Sequence, residues 1–239
     1  LLTQMERLPG EAKQVADTSA VTLRIASTHA LSFTFLPQWL RGLEGRVAMG
    51  PIELMSDVLG RCEALMQQGK VQFVLAHAHP KVLGPLDGER YLSAVIGTDE
   101  LVAVAQADAK GAPRYRLGGT KSAAARTPVL QYTEASGLGR IVRAVAGRKM
   151  EALGTKAGFT AHLASVLRTM ALDGRGIAWV PRSLVKEDLM THKLAEAAGE
   201  EWRVPIDIRL YRELEPCGPV AETFWMNSTV LPRAGPDQG

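Results

Sequence analysis

Three short polar residues stand where the chain changes from strand to helix. Ser27, Thr28 and His29 follow the alternating apolar segment 21–26 and precede a helical pattern of apolar residues. Free backbone N–H groups at a helix N-terminus, together with short hydroxyl side chains, favour a carboxylate or another anion. Ser and Thr also cap helices when no ligand is present. The sequence therefore predicts ligand contact here, with plain helix capping as the alternative.

Two histidines follow the third predicted strand. His77 and His79 flank a single alanine, so on an extended chain their imidazoles point to the same side of the strand. A metal site needs about three or four ligands, and His29 and His162 are the further candidates. The alternatives are a metal site, ordinary surface histidines, or a cleft lining that hydrogen-bonds a ligand. We predict the last of these, with no metal and no cofactor.

The second half of the sequence repeats the arrangement. Tyr132 and Thr133 lie at the end of the predicted strand 128–132, before a predicted helix that begins at Ser136, and Thr160 begins the next predicted helix. A phenol and two hydroxyls at such positions suit hydrogen bonds to a ligand. Helix capping is again the alternative. We predict that Tyr132, Thr133 and Thr160 contribute to the ligand site.

Strands and helices alternate through the first part of the chain, which predicts an α/β fold with a mostly parallel sheet and right-handed crossovers. The predicted strands are 21–26, 46–49 and 71–76, and the predicted helices include 36–43 and about 53–68. A parallel sheet binds its ligand at the carboxyl ends of its strands. Met49 and Gly50, at the end of the second predicted strand, therefore join the candidate site.

A second round of strands and helices follows, so the simplest architecture has two lobes around a cleft, with the second lobe inserted into the first. Lobe I is predicted at 21–95 and 204–231, and lobe II at 96–203. Residues 1–20 have the spacing of the end of a longer helix, and 232–239 are predicted to be a disordered tail. The further predicted strands are 91–96, 101–105, 128–132, 176–180 and 204–211, and the further helices begin at about 136, 160, 181 and 220.

Composition and charge exclude several classes of protein. Hydrophobic residues make up 46% and charged residues 22% of the chain, which is ordinary globular usage. No apolar run approaches the roughly 20 residues of a membrane span, and the first residues lack the apolar core of a secretory signal. The net charge of +3 is spread along the chain, which argues against a nucleic-acid-binding patch. We expect a cytoplasmic protein whose Cys62 and Cys217 stay reduced.

Three segments carry a resemblance to a known family. They read LRIASTHALSFTFLPQWL, SDVLGRCEALMQQGKVQFVLA and VLRTMALDGRGIAWVPRSLVKEDLMTHKL. Their order and spacing resemble the effector-binding domains of LysR-type transcriptional regulators, and the third segment, with GRGIAWVP at its centre, is the most specific. The resemblance extends from about residue 1 to residue 231.

This resemblance implies a two-lobed, periplasmic-binding-protein-like (type 2) fold with a small-molecule effector in the central cleft. It also implies a winged helix-turn-helix domain ahead of residue 1, through which alone the protein would bind DNA, and a linker helix that ends within 1–20. Family members pair as homodimers or homotetramers through the helices predicted here at 53–68 and 136–148. We expect the isolated domain to dimerise, and we expect its effector to be anionic.

A narrower resemblance concerns the mode of sensing. The segments IASTHALSFTFLP, ALDGRGIAWVP and GPVAETFW are similar to a subgroup that includes hypochlorite-responsive regulators, which sense through methionine oxidation. At the positions that align with sensing methionines this sequence has Leu43, Leu138 and Leu163. The sequence therefore favours reversible ligand binding, with an oxidant response as the alternative.

Two other classes of function make different predictions about the sequence. A periplasmic solute-binding protein of the same fold would carry a signal peptide or a lipid anchor and would usually be a monomer. An enzyme would need a catalytic motif, yet the sequence has no Gly-rich phosphate loop with its Lys-Ser/Thr and no GxSxG turn. The segment GLGRIVRAVAG lacks the spacing of a dinucleotide-binding loop. We expect a sensor domain without catalytic activity.

Overall fold

A single mixed sheet runs through the molecule in a computed structural model that describes residues 23–46, 49–117 and 127–230. Within these residues the sheet has nine strands in the order β2-β1-β3-β9-β4-β7-β5-β6, and β8 pairs with β4 at one side of this path. The end of a linker helix predicted at 1–20 and the disordered tail predicted at 232–239 lie outside the described residues.

The strands are β1 Leu23–Thr28, β2 Ile52–Asp57, β3 Phe73–Ala78, β4 Tyr91–Gln106, β5 Pro128–Tyr132, β6 Lys156–Ala161, β7 Ile177–Pro181, β8 Leu194–Glu196 and β9 Val204–Glu213. The α-helices are α1 His29–Thr34, α2 Leu36–Leu43, α3 Leu59–Gln67, α4 Gly137–Leu153, α5 Ala164–Leu172, α6 Arg182–Met190 and α7 Pro219–Val230. Short 3-10 turns are formed by Pro85–Asp87 and Glu200–Trp202.

Two parallel groups of strands form the lobes. In the first lobe β1 pairs in parallel with β2 and β3, and in the second lobe β5 pairs in parallel with β6 and β7. The long strands β4 and β9 pair antiparallel with each other, and they connect the lobes because β3 pairs with β9 and β7 pairs with β4. The predicted α/β architecture of two lobes is confirmed.

Each lobe has its own core. In the first lobe Phe73 and Leu75 face one side of β3 and Val74 and Ala76 face the other, and all four are buried, because helices cover both faces of the sheet. Phe73 packs against Phe224 of α7 with ring centroids 4.9 Å apart. The second-lobe core is a separate cluster around β5 and β7, with α4 and α5 packed on it.

The second strand differs from its prediction. The strand expected at 46–49 and the helix expected from residue 53 are wrong, since β2 is Ile52–Asp57 and α3 begins only at Leu59. Arg46 lies in a turn, and 47–48 lie outside the described residues. As an edge strand, β2 is only half covered and its sequence lacks clear alternation. Its six parallel partners on β1 determine the strand conformation.

Two further predictions of where helices and strands begin and end were wrong. The helix expected from Thr160 begins at Ala164, and Thr160 belongs to the edge strand β6, opposite Gln131. The strands expected at 91–96 and 101–105 form one strand, β4, whose register shifts between Val95 and Gly97. Polar residues between the two segments suggested a loop, but they pair with β9 instead.

Candidate ligand cleft

The carboxyl ends of strands from both lobes meet at one cleft, as expected for a sheet of this type. It holds about 470 Å³ of space, open solvent at its mouth included. The first lobe contributes residues at the ends of β1, β2 and β3, among them Thr28, His29, Asp57, Val58, Leu59 and His77. The second lobe contributes the starts of α4 and α5, namely Ser136, Gly137, Leu138, His162, Leu163 and Ala164.

Thr28 ends β1 and directly precedes α1. Its Oγ1 is buried and has no hydrogen-bond partner among the described residues, and it does not cap α1. Capping, the alternative interpretation, is therefore not what this hydroxyl does. Ser27 is also buried, but its hydroxyl donates to the carbonyl of Thr28 at 3.3 Å and does not line the cleft.

His77 is the second buried polar group of the first-lobe wall. Its Nε2 lies 3.9 Å from Oδ2 of Asp99, beyond hydrogen-bond distance, and it has no other partner in the described chain. Burial works to raise the pKa of Asp99. The nearby His77 imidazole and hydrogen bonds from Ser183 and the Glu100 amide outweigh this, so the pKa is lowered. Asp99 therefore stays ionised next to the cleft.

The other two histidines of the cleft are held by hydroxyls. His29 Nδ1 lies 3.1 Å from Oγ of Ser56, and His162 Nδ1 lies 2.6 Å from Oγ1 of Thr133. Thr133 therefore does not line the cleft itself but contacts His162, which does. From the sequence, His162 was predicted only as a candidate metal ligand. Among the described residues, no group of three or more His, Cys, Asp or Glu could hold a metal ion.

Three helices of at least nine residues begin at the cleft, and their positive ends favour a negative ligand. Ser136 caps α4 by accepting the Gly139 N–H at 3.3 Å. No described side chain caps α3 or α5, which follow Val58 and Leu163. One carboxylate, Asp57, lies at this end, and its Oδ1 accepts the Val58 N–H at 2.7 Å.

Besides Ser27 and Thr133, five predicted site residues do not line the cleft. Met49 and Gly50 precede β2, at the amino ends of the parallel strands, because the second strand was misplaced. Tyr132 is buried in the second-lobe core, where burial raises the pKa of its phenol. Thr160 is exposed on β6, and His79 lines a separate cavity.

Several residues that line the cleft were not among the site residues predicted from the sequence. Asp57 and Leu59 follow β2, so a correct placement of that strand would have found them. Leu138 and Leu163, two of the positions that align with sensing methionines, both line the cleft. The third, Leu43, is fully buried in the first-lobe core.

The two cysteines are free thiols on separate elements. Cys62 is buried on α3, and burial raises its pKa to about 12, so it is a poor nucleophile. Cys217 is partly buried, and burial raises its pKa as well. Among the described residues, no helix combines the length and the apolar character of a membrane span.

The model of the LysR substrate binding domain family matches residues 16–226 of this sequence. The chain belongs to this family. It is an effector-sensing domain of a LysR-type transcriptional regulator with the periplasmic-binding-protein-like type 2 fold, which confirms the predicted family, fold class and function. The alternative of a periplasmic solute-binding protein is not favoured.

Relatives of this LysR-family domain are transcriptional regulators. The HTH-type transcriptional regulator YjiE of Escherichia coli (strain K12) is 27% identical over 229 residues, which are 94% of this chain and 70% of YjiE. The HTH domain-truncated transcriptional regulator QseD of Escherichia coli O157:H7 is 26% identical over 229 residues, which are 94% of this chain and 88% of QseD.

The fold is similar to that of the regulatory domain of HypT from Salmonella typhimurium. The apo form of that domain has a TM-score of 0.73 at 23% identity, with 88% of this chain and 94% of that chain covered. Its bromide-bound form has a TM-score of 0.70 at 23% identity, with 87% and 93% covered.

Proposed function

We propose that the cleft binds a small anionic effector that also carries a hydrogen-bond donor. The observation that carries the proposal is the buried, unpartnered Oγ1 of Thr28, which lines the cleft where α3, α4 and α5 begin. A buried hydroxyl without a partner costs free energy, and a ligand oxygen at this point would remove that cost. The positive helix ends supply the preference for negative charge.

The rest of the lining refines the ligand class. His77 Nε2 is a second buried atom of this wall without a hydrogen bond, since its nearest acceptor, Asp99 Oδ2, lies 3.9 Å away. Asp57 offers an acceptor for a donor group of the ligand. Leu59, Leu138 and Leu163 add an apolar surface. A hydroxy acid or an amino acid of modest size has all three features. The regulatory domain of HypT, which has a similar fold, is described as bromide ion-bound, and this supports an anionic ligand.

An effector that touches both walls would act by changing the angle between the lobes. It must bind one arrangement better than the other to have any effect. We place the lobes at 21–95 with 204–231 and at 96–203, with one refinement. Val204 and Ile206 pack in the second-lobe core and Ile208 in the first, so the division falls inside β9.

In the full protein this change would move DNA-binding domains. We propose a winged helix-turn-helix ahead of residue 1, action in the cytoplasm, and homodimers or homotetramers that pair through α3 and α4, as in the family. The name of YjiE, an HTH-type transcriptional regulator, supports the DNA-binding part, whereas QseD is named as an HTH domain-truncated regulator. Reversible binding is favoured over methionine oxidation, since the aligned cleft positions are Leu138 and Leu163.

A thermal-shift screen of hydroxy acids, amino acids and halides tests the proposal. A ligand at 100 times its Kd should stabilise the domain by about 2.7 kcal/mol. Thr28→Val keeps the side-chain shape and removes the hydroxyl, so it should weaken the best anion at least about tenfold, which corresponds to about 1.4 kcal/mol. Thr160→Val, at an exposed position on β6, is the matched control and should bind normally.

Two results would contradict the proposed site. One is that no anion stabilises the folded wild-type domain at millimolar concentration. The other is that Thr28→Val and Thr160→Val bind the best anion equally well. Stabilisation by neutral analogues with the same affinity would reject the anionic class while keeping the cleft.

A further inference from the structure

A second cavity lies beside the cleft, behind a contact between the lobes. Leu59 at the start of α3 meets Gly137 at the start of α4, and both residues, with His77, line the cleft and this cavity alike. A Cβ built on Gly137 would lie 2.6 Å from Cδ2 of Leu59, which shows how closely the two helices approach. The cavity holds about 430 Å³ of space, open solvent included.

The polar centre of this cavity is Glu63, about one turn into α3. The residue is only 7% exposed, yet none of the described groups gives its carboxylate a hydrogen bond or an ion pair within 4.0 Å. Burial raises the pKa of Glu63, while the positive charge of Arg140 works in the opposite direction. A buried carboxylate is costly unless a cation or a donor compensates it.

The remaining walls fit a cation with a short apolar body. Asp87 is a second carboxylate in the lining, and it accepts the Gly84 N–H at 2.7 Å and the Tyr211 hydroxyl at 3.5 Å. Arg140 is a cation in the lining, on the second-lobe side. The apolar lining is formed by Leu59, Val82, Leu86 and Ile141. Two carboxylates of the lining therefore face one arginine, and the other ionisable side chains there are His77, His79 and Tyr211.

We propose that this second cavity is a binding site for a small organic cation, a protonated primary amine with a short alkyl chain. The ammonium group pairs with Glu63 at the buried end, and the alkyl chain lies against the leucines and Ile141. The site is separate from the anion cleft, and amine binding does not depend on the proposed effector.

A consequence for regulation follows, and this part rests on the proposed function of the cleft. The second cavity is also lined by both lobes, so an amine there favours particular lobe arrangements. Two ligands that bias the same equilibrium change each other's affinity by the same factor. Amine binding should therefore change anion affinity, and the anion should change amine affinity equally.

Isothermal titration of the 239-residue chain with n-butylamine hydrochloride tests the site directly. The amine should bind the wild type, whereas 1-butanol and sodium butyrate, of similar size, should bind at least tenfold more weakly. Glu63→Gln keeps the shape and removes the charge, so it should lose at least tenfold in amine affinity. Glu89→Gln, at an exposed glutamate outside the cavity, is the matched control and should bind as the wild type does.

Arg140→Gln separates an amine site from an internal ion pair. If Glu63 binds an external amine, removing the competing positive charge of Arg140 should tighten butylamine binding severalfold. The proposal is overturned if butylamine does not bind the folded wild type, if 1-butanol binds as tightly, or if Glu63→Gln binds like the wild type. Should Glu63→Gln fail to fold, the butanol comparison and Arg140→Gln decide the matter. Amine binding without any effect on anion affinity rejects only the coupling.

Discussion

The two walls of the cleft contain the same residue types but use them differently. On the first-lobe wall Thr28 and His77 each keep a buried polar atom without a hydrogen bond among the described residues. On the second-lobe wall Thr133 and His162 hydrogen-bond each other, and Ser136 caps α4. We propose that the first wall recognises the ligand and that the second wall, whose polar groups contact each other, positions its own side chains.

The largest expected effect comes from forcing the two walls apart. Gly137→Val puts a branched side chain where Leu59 already lies, so the lobes must separate or the protein must strain, at a cost of about 1–3 kcal/mol. Anion affinity should fall at least tenfold by calorimetry.

Leu59→Ala in the same chain should restore part of that loss, because it removes the clashing group. If Gly137→Val binds anions with wild-type affinity, contact between the two walls is not required for binding, and their proposed joint role in the site is wrong.

A smaller effect distinguishes recognition from positioning. Thr133→Val leaves His162 without its partner, which should lower the free energy of unfolding by about 1 kcal/mol in urea. Anion affinity should fall only about two- to fivefold, because the mutated group does not touch the ligand.

Thr28→Val should show the opposite pattern, with a larger loss of affinity and unchanged or slightly increased stability. Equal stability losses in the two variants would show that the Thr28 hydroxyl has a structural partner after all.

The smallest expected effect concerns acid stability at Asp99, beside His77 of the first-lobe wall. Because Asp99 has a lowered pKa in the folded protein, its contribution to stability is present above its unfolded pKa and is lost as the pH falls through the folded value. Asp99→Asn should therefore lose stability less steeply than the wild type below about pH 4, since about 3.9 is the pKa of an unperturbed aspartate.

Urea unfolding at several pH values measures this difference. Identical slopes for the two proteins would show that neither His77 nor Ser183 favours the ionised carboxylate.

The sequence predicted the parts of the fold that are buried on both sides. Strand β3, predicted at 71–76 and found at Phe73–Ala78, was placed within two residues because burial on both faces leaves a strong apolar pattern. The change from strand to helix at Thr28 also lies where it was predicted. The edge strands β2 and β6 were not, since half of each strand faces solvent and only pairing with a neighbour defines it. Because β2 was misplaced, Met49 and Gly50 were predicted as site residues, whereas Asp57, at the observed end of β2, lines the cleft.

Other parts of the site depend on packing that no local pattern contains. Tyr132 shares a strand face with the buried Leu130, so strand alternation alone indicates the core for it. The lack of a cap on α5 and the pairing of Thr133 with His162 arise only when β6 ends beside β5. Nothing in the sequence marks Glu63 as a site residue, because a single acidic residue on an amphipathic helix is typical of its solvent-exposed face.

The uninterrupted run of β4 determines what kind of motion this sensor can make. A strand of sixteen residues that is hydrogen-bonded to β9 for most of its length is a stiff ribbon rather than a flexible tether. Such a ribbon twists far more easily than it folds back, and its softest point is the register shift between Val95 and Gly97. We therefore expect that a change of lobe arrangement twists the β4–β9 ribbon and so rotates both lobes together, in opposite directions about its length.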